Sequence, residues 1–156
     1  MITSAMGNIS KVIAFRLGPG EDLMKGIEKV CQKYEVKNAV LLSAMGSLQK
    51  TRFFDPVPIP DSKFGYGYSD PIVIPGVTEL LSAQGTVSHD EAGNVNMHIH
   101  FTVANSNGIC MGGHLIEGNE CLITVEVVIG VLDNIELVRK YDDETEMNVL
   151  HPEEAK

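Results

Sequence analysis

The chain has 156 residues, 44% of them hydrophobic and 21% charged, which bounds it to one ordinary globular domain with a core of its own. Twelve basic residues stand against 21 acidic ones, a net charge of −9. That balance makes nucleic acid an unfavoured partner, because phosphate binding draws its affinity from a basic face, and it favours a small molecule or a protein.

In chain order, "KVIAFRL" (11–17) alternates, with Ile13, Phe15 and Leu17 on one side, and predicts a strand that Gly18-Pro19-Gly20 stops. Glu21 and Asp22 sit where a helix N-terminus favours carboxylates. Leu23, Ile27, Val30 and Tyr34 then form a helical stripe, with Met24 and Cys31 beside it. "NAVLLSAMGSL" (38–48) predicts a buried strand running into a bend at Gly46, and "KTRFF" (50–54) a further strand. Residues 55–76 hold five of the seven prolines and read as a long structured loop or arm. "VTELLSAQGTV" (77–87) is the next strand and "HDEAGN" (89–94) a polar turn. "CLITVEVVIGVL" (121–132) and "IELVRK" (135–140) are the last two strands. We divide the chain into an N-terminal segment (1–10), one domain (11–141) and an acidic tail (142–156) expected to fray. One helix among many strands predicts an α+β fold, a single compact domain with a largely antiparallel sheet.

No apolar run approaches the roughly 20 residues of a membrane helix. The opening "MITSAMGNIS" lacks the pattern of a signal peptide, so a cytoplasmic location is expected. Cys31, Cys110 and Cys121 are odd in number and form no C-x-x-C pair, against a disulfide framework or a thiolate zinc knuckle.

Chemistry concentrates in "NMHIHFTVANSNGICMGGHL" (96–115), which carries three of the five histidines. In a strand over 97–103, Met97, Ile99, Phe101 and Val103 point to the core, while His98, His100 and Thr102 point away. A three-residue loop "SNG" with a left-handed Gly108 pairs Asn105 with Ile109, Val103 with Met111 and Ile99 with Leu115. The same register sets His100 opposite His114, whereas a two-residue loop would put His114 on the core face. Gly112 and Gly113 signal close approach of backbone or ligand, or a bend. Cys110, about 13 Å along the strand from His114, is a poor fourth ligand. His89, in its polar turn, and His151, in the tail, read as solvent-exposed bystanders. Three converging neutral imidazoles suit Zn²⁺, or another divalent first-row metal, with a fourth position open to water or substrate. The alternative is three polar residues on a wet strand face.

"FRLGPGEDL", "LLSAMGSL", "LLSAQGTVS", "HIHFTVANSNGICMGGHLIEG" and "TVEVVIG" resemble, in this order, the PPC domain conserved in plants and prokaryotes. The resemblance implies a compact α+β domain that forms a homotrimer, and the retained His98, His100 and His114 imply the prokaryotic metal-containing branch. Plant members join the domain to a basic AT-hook that binds DNA, but this chain has no R-G-R-P core and is acidic. The fold and histidine set are also distantly similar to acetolactate decarboxylase, a zinc lyase. That likeness implies a metal acting as Lewis acid on a small hydroxy or keto acid.

Three functions stay open. The first is a metal-dependent enzyme, a lyase or a related activity, with Glu126, Glu79 or Glu117 as candidate carboxylates to move the proton and Arg16 or Arg52 as anion binders. The second is a non-catalytic trimeric ligand-binding or regulatory module. The third is DNA binding or a transcription-related role of the assembled trimer, as in plant relatives. Ser43 and Ser47 lack both a G-x-S-x-G frame and a base beside them, so no serine nucleophile is expected.

Overall fold

The computed structural model describes residues 2–155. Its elements are β1 (Asn8–Leu17), α1 (Leu23–Lys33), β2 (Ala39–Leu48), β3 (Thr51–Phe54), β4 (Pro56–Pro58), β5 (Tyr66–Tyr68), β6 (Ile72–Ile74), β7 (Thr78–Asp90), β8 (Val95–Asn105), β9 (Cys110–Leu115), β10 (Cys121–Asp133), β11 (Ile135–Asp142) and β12 (Met147–Glu154). One sheet runs in the order β1-β10-β2-β7-β8-β9-β3-β6, and β4 pairs with β5 as a separate ribbon in the arm. All pairings are antiparallel except β11 with β7, which meet at Val138–His89 and Arg139–Asp90. The α+β reading with a largely antiparallel sheet and one main helix holds.

Alternation builds the core. Leu41, Ala44 and Leu48 of β2, Leu80, Ala83 and Val87 of β7, and Ile99, Phe101 and Val103 of β8 are buried with Val125, Val127 and Ile129 of β10. Helix α1 closes this face with Leu23, Ile27 and Cys31, and it lies so near β1 that a Cβ on Gly26 would come within 2.5 Å of Leu17. Tyr34 does not join the stripe. It is the C-cap residue, and its side chain stays exposed because the helix ends before a further turn could carry it inward.

Asp22 starts the helix as N-cap, accepting from the Lys25 amide at 2.9 Å. Its other oxygen accepts from the amides of Gly118 and Asn119, at 2.7 and 2.9 Å. Asn119, fully buried, accepts from the Arg52 amide and donates to the carbonyls of Arg52 and Ile116. One capping carboxylate thus pins the helix to the β9–β10 turn, and one asparagine pins that turn to β3. A buried amide that finds its partners holds such a junction firmly.

The C-terminal segment corrects an expectation. Residues 147–154 do not fray; they form β12, paired with β11 from Ile135–Glu154 through Asp142–Met147. The turn closes on Asp142, whose Oδ1 accepts from the Thr145 amide and hydroxyl, at 2.8 and 3.0 Å. His89 and His151 are likewise not free in solvent. His89 Nε2 lies 2.8 Å from Glu136 across β7 and β11, and the His151 ring is half-buried in β12. Among the described residues no helix is long and apolar enough to cross a membrane.

Candidate metal centre

The β8–β9 hairpin positions the three histidines. Gly108 takes φ +75°, the left-handed conformation that this loop needs and that glycine adopts without strain. Asn105 Oδ1 accepts from the amides of Asn107 and Ile109, both at 3.0 Å, while the Asn105 amide donates to the Ile109 carbonyl at 3.1 Å. The register then pairs Val103 with Met111 and His100 with His114, as the hydrophobic pattern requires. Gly112 and Gly113 are explained by backbone approach. A Cβ at 112 would come within 2.0 Å of the Phe101 carbonyl oxygen, and one at 113 within 2.6 Å of the Phe54 carbonyl. Such contacts let β9 lie between β8 and β3, which sets Phe54 beside His114.

The nitrogens of His98, His100 and His114 that could serve as ligands all lie within 4.8 Å of one another. His98 Nε2 faces His100 Nε2 at 3.1 Å. The spacing is near the about 3.3 Å edge of a tetrahedron with metal–nitrogen bonds of 2.0–2.1 Å. His114 completes the triangle, its ring centroid 4.9 Å from that of His98 and 5.4 Å from that of His100. His114 Nδ1 is buried without a hydrogen-bond partner. Burial, then the Arg139 charge and the neighbouring imidazoles, push His98 down to about 4. Burial likewise lowers His114. Both rings are therefore neutral at pH 7, the form in which imidazole ligates a metal. The donor set fits a divalent first-row ion.

Three walls surround the triangle. Tyr68 from the arm packs its ring at a tilt against His114, centroids 5.1 Å apart, and against Phe54, centroids 5.9 Å apart. Gln84, Gly85 and Thr86 of β7 lie on one side, and Met147, Val149 and Leu150 of β12 on the other. Three cavities open here, about 460 Å³ beside His98 and His100, about 410 Å³ beside His98 and His114, and about 220 Å³ between His100, Tyr68 and Met147. Arg139 of β11 lines the first two.

The candidate carboxylates are not brought to the histidines within the chain. Glu79 pairs with Ala104, four residues along β8 from His100. Glu126 lies on β10, separated from β8 by β2 and β7, and Glu117 is bridged to Lys25 at 2.9 Å. Nor do Arg16 and Arg52 face the site: Arg16 is exposed opposite Glu126, and Arg52 is held in the β3–Asn119 junction. Sequence reasoning missed Arg139 and the β12 residues. Arg139 sits in a strand of mixed polarity, and only the β12 pairing and the parallel contact with β7 bring it inward.

Comparisons with known proteins agree with this fold. Residues 4–133 match the model of the Plants and Prokaryotes Conserved (PCC) domain, also written PPC. The chain belongs to this family. Among solved structures, a plant- and prokaryote-conserved protein from Pyrococcus horikoshii is 26% identical, with a TM-score of 0.78 over 99% of each chain. The metal-containing protein AF0104 from Archaeoglobus fulgidus shares the fold at a TM-score of 0.79 and 23% identity, over 96% of this chain and 99% of that one. A proposed DNA-binding protein from Bacteroides thetaiotaomicron shares it at 0.75 and 17%, over 92% and 93%. Two curated sequences, both bifunctional protein GlmU from Synechococcus strains, are 29% and 30% identical over 143 and 147 residues. These cover 90% and 93% of this chain, which spans only about a fifth of their length.

Proposed function

We propose that the chain is a metal-binding module that holds one divalent ion, zinc by preference, on His98, His100 and His114 and presents a fourth coordination position to a small oxygen-bearing ligand. The observation that carries this reading is the 3.1 Å approach of two imidazole nitrogens with a third ring closing the triangle. A protein set of three histidines is the pattern of open metal sites, whereas structural zinc is commonly closed by four protein ligands. Such an ion, when bound, supplies Lewis acidity toward an oxygen of the ligand.

A ligand-binding or regulatory role is favoured over a lyase in the isolated subunit, because among the described residues no carboxylate lines the cavities at the histidines. Glu79 and Glu126 could serve acid–base chemistry only through an assembled form. That form, we propose, is the homotrimer. Val12, Leu42, Met45 and Leu81, each 45–60% exposed, leave a broad apolar surface on the sheet, which supports association. Sedimentation equilibrium checks it, with a mass of about three times 17.0 kDa expected and a monomer contradicting it. The net charge of −9 speaks against DNA as the ligand. A cytoplasmic location completes the reading, supported by three cysteines that stay free.

Elemental analysis of untagged protein tests the site. About one metal ion per chain is expected in the wild type and a loss of it in each single alanine variant of the three histidines. Metal-free wild type, after reconstitution with zinc, overturns the reading.

A further inference from the structure

Arg139 is the cation closest in kind to a puzzle at this site. Two of its three guanidinium nitrogens are committed to the framework: Nε donates to Ser88 Oγ at 3.3 Å and Nη1 to the Asn148 carbonyl at 3.3 Å. These bonds tie β11 to β7 and to β12 and fix the plane of the fork. Nη2 is shielded from bulk water and has no partner. Among the described residues no ion pair includes Arg139. Among the described residues no Asp or Glu lines either of the two cavities it shares with the histidines, although the chain carries 21 acidic residues. A buried, charged donor without a partner is costly, and in native proteins it commonly marks a missing anion or water.

Charge counting sharpens the point. Three imidazoles are neutral ligands, so a divalent ion among them brings its full charge into the site. Arg139 adds another positive charge to the same site, since it lines both cavities beside the histidines. Like charges in a partly desolvated pocket repel strongly unless an anion lies between them. No described residue lining the two cavities supplies one.

We propose that Arg139 is an anion-binding residue of the site: its guanidinium, with Nη2 left unpartnered by the protein, pairs with the carboxylate of a small acid whose neighbouring oxygen takes the open metal position. The inference rests on the three-histidine metal reading and adds to it the chemical class of the ligand. A carboxylate matches the planar arginine fork and also offsets the metal's charge, which a neutral alcohol or amide does not.

The test uses calorimetric binding of two isosteric probes, glycolate and its neutral amide glycolamide, to metal-loaded protein, with metal content measured on the same samples. Wild type is expected to prefer glycolate by about tenfold to hundredfold, the worth of one charge-assisted hydrogen bond. Arg139→Gln is expected to keep its metal and lose that preference, and Arg139→Lys to restore part of it. A wild-type preference below about tenfold, or no binding of glycolate, overturns the proposal without any variant, so the test survives if Arg139→Gln fails to fold. A full preference in metal-loaded Arg139→Gln overturns it equally, as does loss of metal from that variant, which makes the arginine structural. Wild type that takes up no metal fails earlier, at the histidine reading, and the proposal falls with it.

Discussion

Two hairpins meet over the histidines, β8–β9 and β11–β12, and they share one turn chemistry. Asn105 closes the first by accepting two backbone amides on its side-chain oxygen, and Asp142 closes the second by accepting an amide and a hydroxyl of Thr145. They differ in what lies behind them. The first is bonded along both sides, to β7 and β3, and buries Ile99, Phe101, Val103 and Leu115. The second leans on the sheet through two parallel pairs with β7, and it buries only Leu137 and Val138. Its outer strand is an edge, where Pro152 is tolerated because half of its backbone needs no ladder. The firmly paired hairpin carries the three histidines proposed as ligands, and the lightly anchored one carries the wall and the arginine. Precise ligand geometry needs the former, while a wall that meets a ligand can be built on the latter.

The contrast can be broken at several points. The largest effect is expected for His100→Ala, an exposed position in a well-packed strand. Metal content should fall from about one per chain to near none, while circular dichroism and the melting temperature of the metal-free form stay unchanged. Leu137→Ala should cost about 2–4 kcal/mol, read by urea unfolding, since that side chain is one of two that seat the second hairpin in the core. A loss under about 0.5 kcal/mol would show the hairpin to be independent of the core. Gly108→Ala should cost about 1–2 kcal/mol, because an alanine at φ +75° is strained, yet the register and therefore the metal should persist.

The smallest effect belongs to Glu136→Gln. His89 and then Asn38 hold the Glu136 carboxyl below the usual carboxylate range. A depressed carboxylate adds stability above its unfolded pKa and loses it as pH falls through the folded one. The wild-type melting temperature should therefore drop somewhat more steeply than the variant's below about pH 4.5. Parallel acid profiles for the two proteins would remove Glu136 from the account. Hydrogen exchange adds a direct view: β12 amides paired with β11 should be protected, less than those of β8, and unprotected amides would restore the fraying tail.

The first hairpin was legible because four apolar residues alternate in β8 and only one loop length matches them to Met111 and Leu115. The histidine pairing came with that register. The second was illegible because charges and a proline fill β12, so periodicity is weak and its partner is fixed by contacts distant in sequence. The Asp142–Thr145 spacing was the local signal available. The arm hid its ribbon for a similar reason, since strands of three residues with prolines at Pro56 and Pro58 show no period. Arg139 could be found only after β11 and β12 were placed. Its role depends on what surrounds it, on a missing carboxylate as much as on present neighbours.

The central claim is that three imidazoles share one cation with a position left open. X-ray absorption at the edge of the metal bound to wild-type protein tests this most directly. The account predicts three imidazole nitrogens at about 2.0–2.1 Å with one further oxygen ligand. A sulfur scatterer, fewer than three imidazoles, or a shell of oxygens alone would contradict it.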